Sequence, residues 1–276
     1  MITGATTVAA VIGSPITHSL SPAVHNAAFA AAGVDWVYAA FDVAPGESLG
    51  ALHAMRTLGL GGLSVTMPHK QDVADQVDEL DPAAAALHSV NTVVRTSDGL
   101  LKGYSTDGVG FVASLMEAGV SITGRSVVVI GAGAAARAVI DALARGGAAS
   151  VTVVNRSLAR AQQAAALAGV IGRVGELTDV TTGDIVVNAT SVGMAADQLP
   201  FDPALLRAGQ VVADLVYHPL ETALLAAARA MGATPVDGLG MLVHQAALQQ
   251  QLWLGVLADT GVMRAAALRE LTSRSR

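Results

Sequence analysis

The chain has 276 residues, 52% of them hydrophobic, 14% charged and 3% aromatic, with a formal net charge of −6. That length accommodates two modest domains, whose cores must be built mainly from Ala, Val and Leu. The lack of cysteine excludes disulfides, thiolate metal sites and cysteine nucleophiles, and an acidic balance without a basic tract speaks against nucleic acid as a partner.

Val8 to Ile12, followed by Gly13, reads as a buried first strand ending in a turn. Ser21-Pro22 then opens a helix, with Ser21 as N-cap and Pro22 at the first helical position, and the helix stops at Gly33. Trp36 to Phe41 is a second strand and Leu49 to Leu58 a second helix. A strand over Leu60 to Thr66 leads into Met67-Pro68-His69-Lys70 and a further helix. Val90 to Arg95 is a strand, Ser97-Asp98-Gly99 a turn, and another strand runs toward Tyr104. Alternating strands and helices predict a mainly parallel sheet covered by helices.

A second unit starts near Thr106. Its opening strand, Ser126 to Ile130, runs into Gly131-Ala132-Gly133-Ala134-Ala135-Ala136, with the spacing G-x-G-x-x-A. In a dinucleotide-binding unit the first glycine makes the turn and the second lets the backbone approach a pyrophosphate. The small third residue allows close helix–strand packing. The helix that follows would offer its N-terminal N–H groups to the phosphates. About twenty residues on, the strand Ser150 to Val154 ends in Asn155-Arg156-Ser157, with Arg160 one helical turn further. A carboxylate here would hold a ribose 2′-hydroxyl. A neutral Asn followed by arginines favours a 2′-phosphate, hence NADP, although both arginines also suit a solvated surface. Later strands are Ile185 to Ala189 and Val211 to Val216. A helix from Glu221 to Met231, a short strand at Thr234 to Val236 and a glycine-rich turn at Asp237-Gly238-Leu239-Gly240 complete the pattern. The final helices, from Met241 onward, are expected to fold back onto the first domain, with a cleft between the domains. The expected division is 1–105, completed by 238–276, against 106–237.

Lys70 and Asp107 each sit beside a strand end. Together they can hold a carbonyl or hydroxyl oxygen and exchange its proton; singly, each also suits a solvated or capping role. The seven histidines show no close helical metal-ligand spacing, so no metal is expected. No apolar run approaches the ~20 residues of a membrane span, and the start of the chain lacks a secretory pattern. A cytoplasmic protein without membrane association is the expectation.

These residues resemble the shikimate dehydrogenase family along nearly the whole chain. The matching stretches are Gly13-Ser14-Pro15-Ile16-Thr17-His18-Ser19-Leu20-Ser21-Pro22, Val65-Thr66-Met67-Pro68-His69-Lys70, Val90-Asn91-Thr92-Val93 and Thr106-Asp107-Gly108. They continue through Gly131-Ala132-Gly133, Asn155-Arg156-Ser157, Asn188-Ala189-Thr190-Ser191, Asp237-Gly238-Leu239-Gly240-Met241-Leu242 and Gln245. The resemblance implies an α/β protein with an N-terminal substrate domain and a Rossmann-type NADP domain. It implies reversible, NADP-dependent reduction of 3-dehydroshikimate to shikimate, a step toward aromatic amino acids, by a monomer or homodimer. Lys70 and Asp107 become the catalytic pair. Ser19, Ser21, Thr66, Asn91, Tyr217 and Gln245 become substrate-binding. Gly131, Ala132, Gly133, Ala134, Ala135, Asn155, Arg156, Ser157, Arg160, Thr190, Ser191, Val216, Gly238 and Met241 become cofactor-binding.

Three positions depart from the family pattern. Ser64 and Ser105 stand where the family usually has Asn, and Ala134-Ala135-Ala136 where it often has Gly-Ala-Ser. Two alternatives therefore remain beside the main expectation. One is a quinate/shikimate-type dehydrogenase with relaxed cofactor use; the other is a weakly catalytic, cofactor-binding regulatory paralogue.

Overall fold

In the computed structural model, residues 2–194 and 196–274 are described. They form two compact units, Met1–Thr106 with Gln245–Arg276, and Asp107–His244.

The first unit holds strands β1 (Thr7–Gly13), β2 (Trp36–Asp42), β3 (Gly62–Val65), β4 (Glu79–Leu80), β5 (Thr92–Arg95) and β6 (Leu101–Tyr104). Its helices are α1 (Ser21–Ala32), α2 (Ser48–Leu58), α3 (Lys70–Gln76) and α4 (Pro82–Leu87), with α10 (Thr260–Arg274) and the later part of α9 (Gly238–Leu254). The sheet order is β2-β1-β3-β5-β6-β4. Along β1, Ala9 and Val11 pack on one face with Phe29 and Tyr38, while Ala10 and Ile12 pack on the other with Leu52, Met55 and Leu63. Both faces are apolar, so β1 reads as a continuous hydrophobic run.

The expected parallel arrangement holds for β1, β2 and β3 and for β4 with β6, but not for β5. β5 is antiparallel to both β3 and β6. The connection through Ser97-Asp98-Gly99 is too short for a crossover helix, so β5 and β6 must form a hairpin. The expected capping role of Ser21 is also corrected. Ser21 is the first residue of α1, whose N-cap position falls on Leu20, and the Ser21 N–H donates to Ser19 Oγ (3.2 Å). The hydroxyl two residues upstream satisfies a helix-start N–H, so Ser21 is not needed there. At the other end Gly33 stops α1 with φ of 65°, a left-handed conformation glycine adopts without strain.

The second unit holds β7 (Ser126–Ile130), β8 (Ser150–Val154), β9 (Gly172–Val174), β10 (Ile185–Asn188), β11 (Val211–Asp214) and β12 (Thr234–Val236). Its helices are α5 (Asp107–Glu117), α6 (Ala134–Arg145), α7 (Leu158–Ala166), α8 (Ala223–Ala230) and the start of α9. All strand pairs are parallel, in the order β12-β11-β10-β7-β8-β9. Numbered within the unit, this is 6-5-4-1-2-3, the doubly wound dinucleotide-binding order, with its switch point between β7 and β10. Val127, Val129, Ile185 and Val187 pack against α5, α6 and α7, while Val128, Ile130, Val186 and Val212 pack with Phe201, Leu224 and Ala228.

The glycine-rich turn expected at Asp237 to Gly240 is instead the start of α9. Asp237 Oδ1 accepts from Leu239 N (3.1 Å) and Gly240 N (3.3 Å). The glycines serve close packing there: a Cβ on Gly238 would lie 2.5 Å from the Leu215 carbonyl oxygen, and one on Gly240 2.9 Å from Ser114 Cβ.

Candidate active site

In the first unit, Lys70 is the half-buried first residue of α3. β3 ends at Val65, and the backbone between it and Lys70 is anchored at several points. Thr66 N donates to Ile12 O (2.9 Å), His69 N to Thr66 O (3.0 Å), and Val90 N to Lys70 O (2.9 Å). Buried His69 donates from Nε2 to Val43 O (2.8 Å), so its ring ties this loop to the segment after β2. These bonds give the lysine stem a fixed origin, which a proton-transferring group requires.

Thr66 follows β3 directly and touches the end of β1: a Cβ on Gly13 would fall 2.4 Å from Thr66 Cγ2. Ser19 and Ser21 lie at the start of α1, and Gln245 is buried on α9. Asn91 immediately precedes β5 and is 3% exposed. Its Oδ1 accepts from Thr106 N (2.9 Å) and Thr92 Oγ1 (2.9 Å), and its Nδ2 donates to Thr106 Oγ1 (2.9 Å).

Behind Asn91 lies a buried polar network that sequence reading missed. Tyr38 Oη donates to Ser64 Oγ (2.6 Å), and Ser64 donates to Gln249 Oε1 (2.8 Å). Gln249 Nε2 donates to Thr92 Oγ1 (3.0 Å) and Asn91 O (3.2 Å). His25 stacks on the Tyr38 ring at a centroid distance of 4.2 Å and bonds Gln249 Oε1 through Nε2 (3.2 Å). Gln250 Nε2 donates to His25 Nδ1 (3.0 Å). Burial lowers the His25 pKa to about 3, against the opposing Gln249 hydrogen bond, and pushes that of Tyr38 up. Both groups are therefore neutral at physiological pH. The available signal was the i, i+4 spacing of Gln245 and Gln249, which puts two amides on one face of a helix.

In the second unit, Asp107 is the half-buried first residue of α5. Gly131 has φ of 118°, and a Cβ there would fall 2.8 Å from Ala189 O, so the turn after β7 requires glycine. A Cβ on Gly133 would meet nothing within 4 Å, and Gly133, the N-cap of α6, has no side chain with which to cap it. Gly131 to Ala135 and Ala189 to Ser191 thus flank the switch point, with an open approach to the α6 N-terminus. That arrangement fits a pyrophosphate.

The loops around it are shaped by a second buried network. Asn188 Oδ1 accepts from Thr190 Oγ1 (2.7 Å), and Asn188 Nδ2 donates to Asp214 Oδ1 (2.9 Å). Asp214 also accepts from Val216 N (3.0 Å) and Thr222 Oγ1 (2.7 Å). Burial raises the Asp214 pKa, with the Thr222, Val216 and Asn188 hydrogen bonds opposing. Val216 and Tyr217 follow this aspartate, and Gly238 packs under the Leu215 and Val216 carbonyls. Met241 lies on α9 three residues further along. After β8, Asn155 Nδ2 donates to Ser157 O (3.1 Å), and Ser157 Oγ caps α7 by accepting from Arg160 N (3.4 Å). Arg156 and Arg160 are exposed and make no ion pair among the described residues. Unneutralised guanidinia beside this strand end suit a 2′-phosphate. Among the described residues no three His, Asp or Glu side chains gather as a metal-binding set.

The parallel sheet with its glycine turn defines the class: a two-unit α/β protein with a doubly wound dinucleotide-binding fold. Three family models match in order. The shikimate dehydrogenase substrate binding domain covers residues 11–93, shikimate / quinate 5-dehydrogenase covers 113–195, and the shikimate 5'-dehydrogenase C-terminal domain covers 238–268. A shikimate dehydrogenase (NADP(+)) of Moorella thermoacetica is 45% identical over 274 residues, covering 95% of this chain and 92% of that protein. The shikimate 5-dehydrogenase of Thermus thermophilus, solved with NADP(H) and shikimate, superposes with a TM-score of 0.91 at 36% identity, over 96% of this chain and 99% of its own. Quinate dehydrogenase of Corynebacterium glutamicum with NAD gives a TM-score of 0.90 at 34% identity, over 96% and 99%. The chain belongs to the shikimate dehydrogenase family.

Proposed function

We propose that this chain catalyses the reversible, NADP-dependent reduction of 3-dehydroshikimate to shikimate, a step toward aromatic amino acids. The observation that carries this reading is the end-to-end match to an NADP(+) shikimate dehydrogenase, spanning 95% of the chain. In this reading residues 1–105 with the later part of 238–276 hold the substrate, while 106–237 with the start of α9, up to His244, hold the cofactor. Ser19, Ser21 and Thr66 donate hydroxyl hydrogen bonds to the ring carboxylate. Asn91, Tyr217 and Gln245 read the ring hydroxyls. Lys70 and Asp107 hold and move the proton at the oxygen on the reacting carbon.

Gly131 to Ala135, Thr190, Ser191, Val216, Gly238 and Met241 would cradle the dinucleotide, with Asn155, Arg156, Ser157 and Arg160 at its 2′-phosphate. Bound NADPH supplies the hydride. Among the described residues no helix is long and apolar enough to cross a membrane; a cytoplasmic monomer or homodimer is the accompanying proposal.

Ser64 and Ser105, together with the likeness to a quinate dehydrogenase, favour a second reading in which quinate is also accepted. A panel of shikimate and quinate, each with NADP and NAD and followed by absorbance of the reduced nicotinamide, separates the two. The main reading expects shikimate with NADP to give the highest kcat/KM. A preference for quinate with NAD overturns it.

Cofactor choice yields its own expectation. Arg156→Ala should raise the KM for NADP by about 10- to 100-fold, the range for losing a charge-assisted hydrogen bond. The KM for NAD, which lacks the 2′-phosphate, should change little. Equal losses for both cofactors would remove Arg156 from the phosphate site.

A further inference from the structure

Ser64 belongs to the buried network behind Asn91, where it links Tyr38 to Gln249. The amide of Gln249, from α9, sits 2.8 Å from Ser64 Oγ across 185 residues of sequence and is 2% exposed.

The hydrogen bonds around Gln249 run in one direction. Tyr38 donates to Ser64, so the Ser64 proton is directed at Gln249 Oε1. His25 Nδ1 accepts from Gln250, so His25 Nε2 carries the proton and also donates to Oε1. Two donors therefore fix the oxygen end of the Gln249 amide. Its nitrogen end faces Thr92 Oγ1 and Asn91 O and donates to both. Thr92, fully buried, accepts from Gln249 and passes its own proton to Asn91 Oδ1. With the Thr106 N–H on the same oxygen, Asn91 Oδ1 is saturated. Any contact that Asn91 makes with a ligand is then a donation from Nδ2.

We propose that Gln249 and Thr92 are positioning residues that lock the Asn91 amide in its donating orientation. The inference rests on the substrate role of Asn91 proposed above for its kinetic consequence, and on geometry alone for the orientation. Asn91 thereby recognises an acceptor oxygen of the substrate, and a turned amide would present its own oxygen to that atom. Flipping Asn91 would break the Thr92 and Thr106 bonds in a site without solvent to replace them, which is what makes the lock effective.

The test uses Thr92→Val, which keeps the branched shape and removes the hydroxyl, against Thr92→Ser, which keeps the hydroxyl. In the full-length enzyme T92V should raise the KM for shikimate about 10-fold, near the upper end for one buried hydrogen bond, with kcat and the KM for NADP changed much less. T92S should recover most of the loss. In ligand-free ¹⁵N-labelled protein, the side-chain NH₂ signals of Asn91 and Gln249 should be protected from exchange in wild type and T92S. Those of Asn91 should lose protection in T92V. An unchanged shikimate KM in T92V, or equal losses in T92V and T92S, overturns the proposal. So does an unprotected Asn91 amide in wild type. Wild-type protein that shows the protection pattern but does not turn over shikimate would sink the substrate reading and leave the orientation lock standing.

Discussion

Replacing Lys70 by alanine is expected to cut turnover by about 10²- to 10⁴-fold, the range for losing general acid–base catalysis, while the protein stays folded and still binds NADP. During reduction the carbonyl oxygen gains negative charge, and an ammonium held against it both stabilises that charge and delivers the proton. In the reverse direction the same group receives the hydroxyl proton. Lys70 suits the task because its backbone is anchored by bonds to the Ile12, Val43 and Val90 segments, made by Thr66, His69 and Lys70 itself. Asp107 is proposed to orient the ammonium and accept from a substrate hydroxyl, with the reverse division of roles as the alternative. Asp107→Asn should also be severe. The double variant should lose less than the product of the single losses, because groups acting as one unit are not additive. Near-wild-type shikimate turnover by folded, NADP-binding K70A would end this assignment.

The largest expected effect on stability comes from Gly108→Ala. Helix propensity alone would favour alanine by about 1 kcal/mol, so the sign is decided by packing. α5 lies against α6, and a Cβ on Gly108 would fall 2.1 Å from the Ala138 carbonyl oxygen and 2.8 Å from Ala142 Cβ. A backbone oxygen cannot rotate away as a flexible side chain can, so the two helices must separate. Overpacking of this kind costs roughly 1–3 kcal/mol and sometimes more, which outweighs the propensity gain. Urea unfolding should show a net loss of about 1 kcal/mol, the middle of the overpacking range less the propensity gain. Because Asp107 is the adjacent residue on α5, kcat should fall as well. G108A as stable as wild type would show that the helices yield without cost.

The distribution of legible and hidden features follows the range of the interactions. The turn at Gly131 and Gly133 was legible because a tight strand-to-helix turn constrains the residues that make it, and φ of 118° at Gly131 is such a constraint. The parallel order of the second sheet followed from alternating apolar runs and helices. The hairpin of β5 and β6 could have been read from the brevity of the Ser97-Asp98-Gly99 connection, but the general α/β alternation masked it. Ser21 looked like an N-cap by residue type. Which of Ser19 and Ser21 spends its hydroxyl on the helix start depends on backbone geometry that residue type does not carry. Asp237 to Gly240 looked like a turn because glycines usually mark one. Here they are small so that α9 can pass the Leu215 and Val216 carbonyls and Ser114.

By itself the sequence determined the local chemistry of this protein. It specified a glycine turn, a neutral-then-basic strand end proposed for a 2′-phosphate, and hydroxyl, amide, lysine and aspartate residues in the order of one enzyme family. Tertiary structure alone decided how those groups are held. Tyr38, Ser64 and Gln249 meet from β2, β3 and α9, and Gly108 meets Ala138 across two helices. The physical reason is that a hydrogen bond's direction and a methyl group's room are set by whatever atoms lie across the contact. Those atoms come from parts of the chain far apart in sequence, which no local pattern of residues brings together.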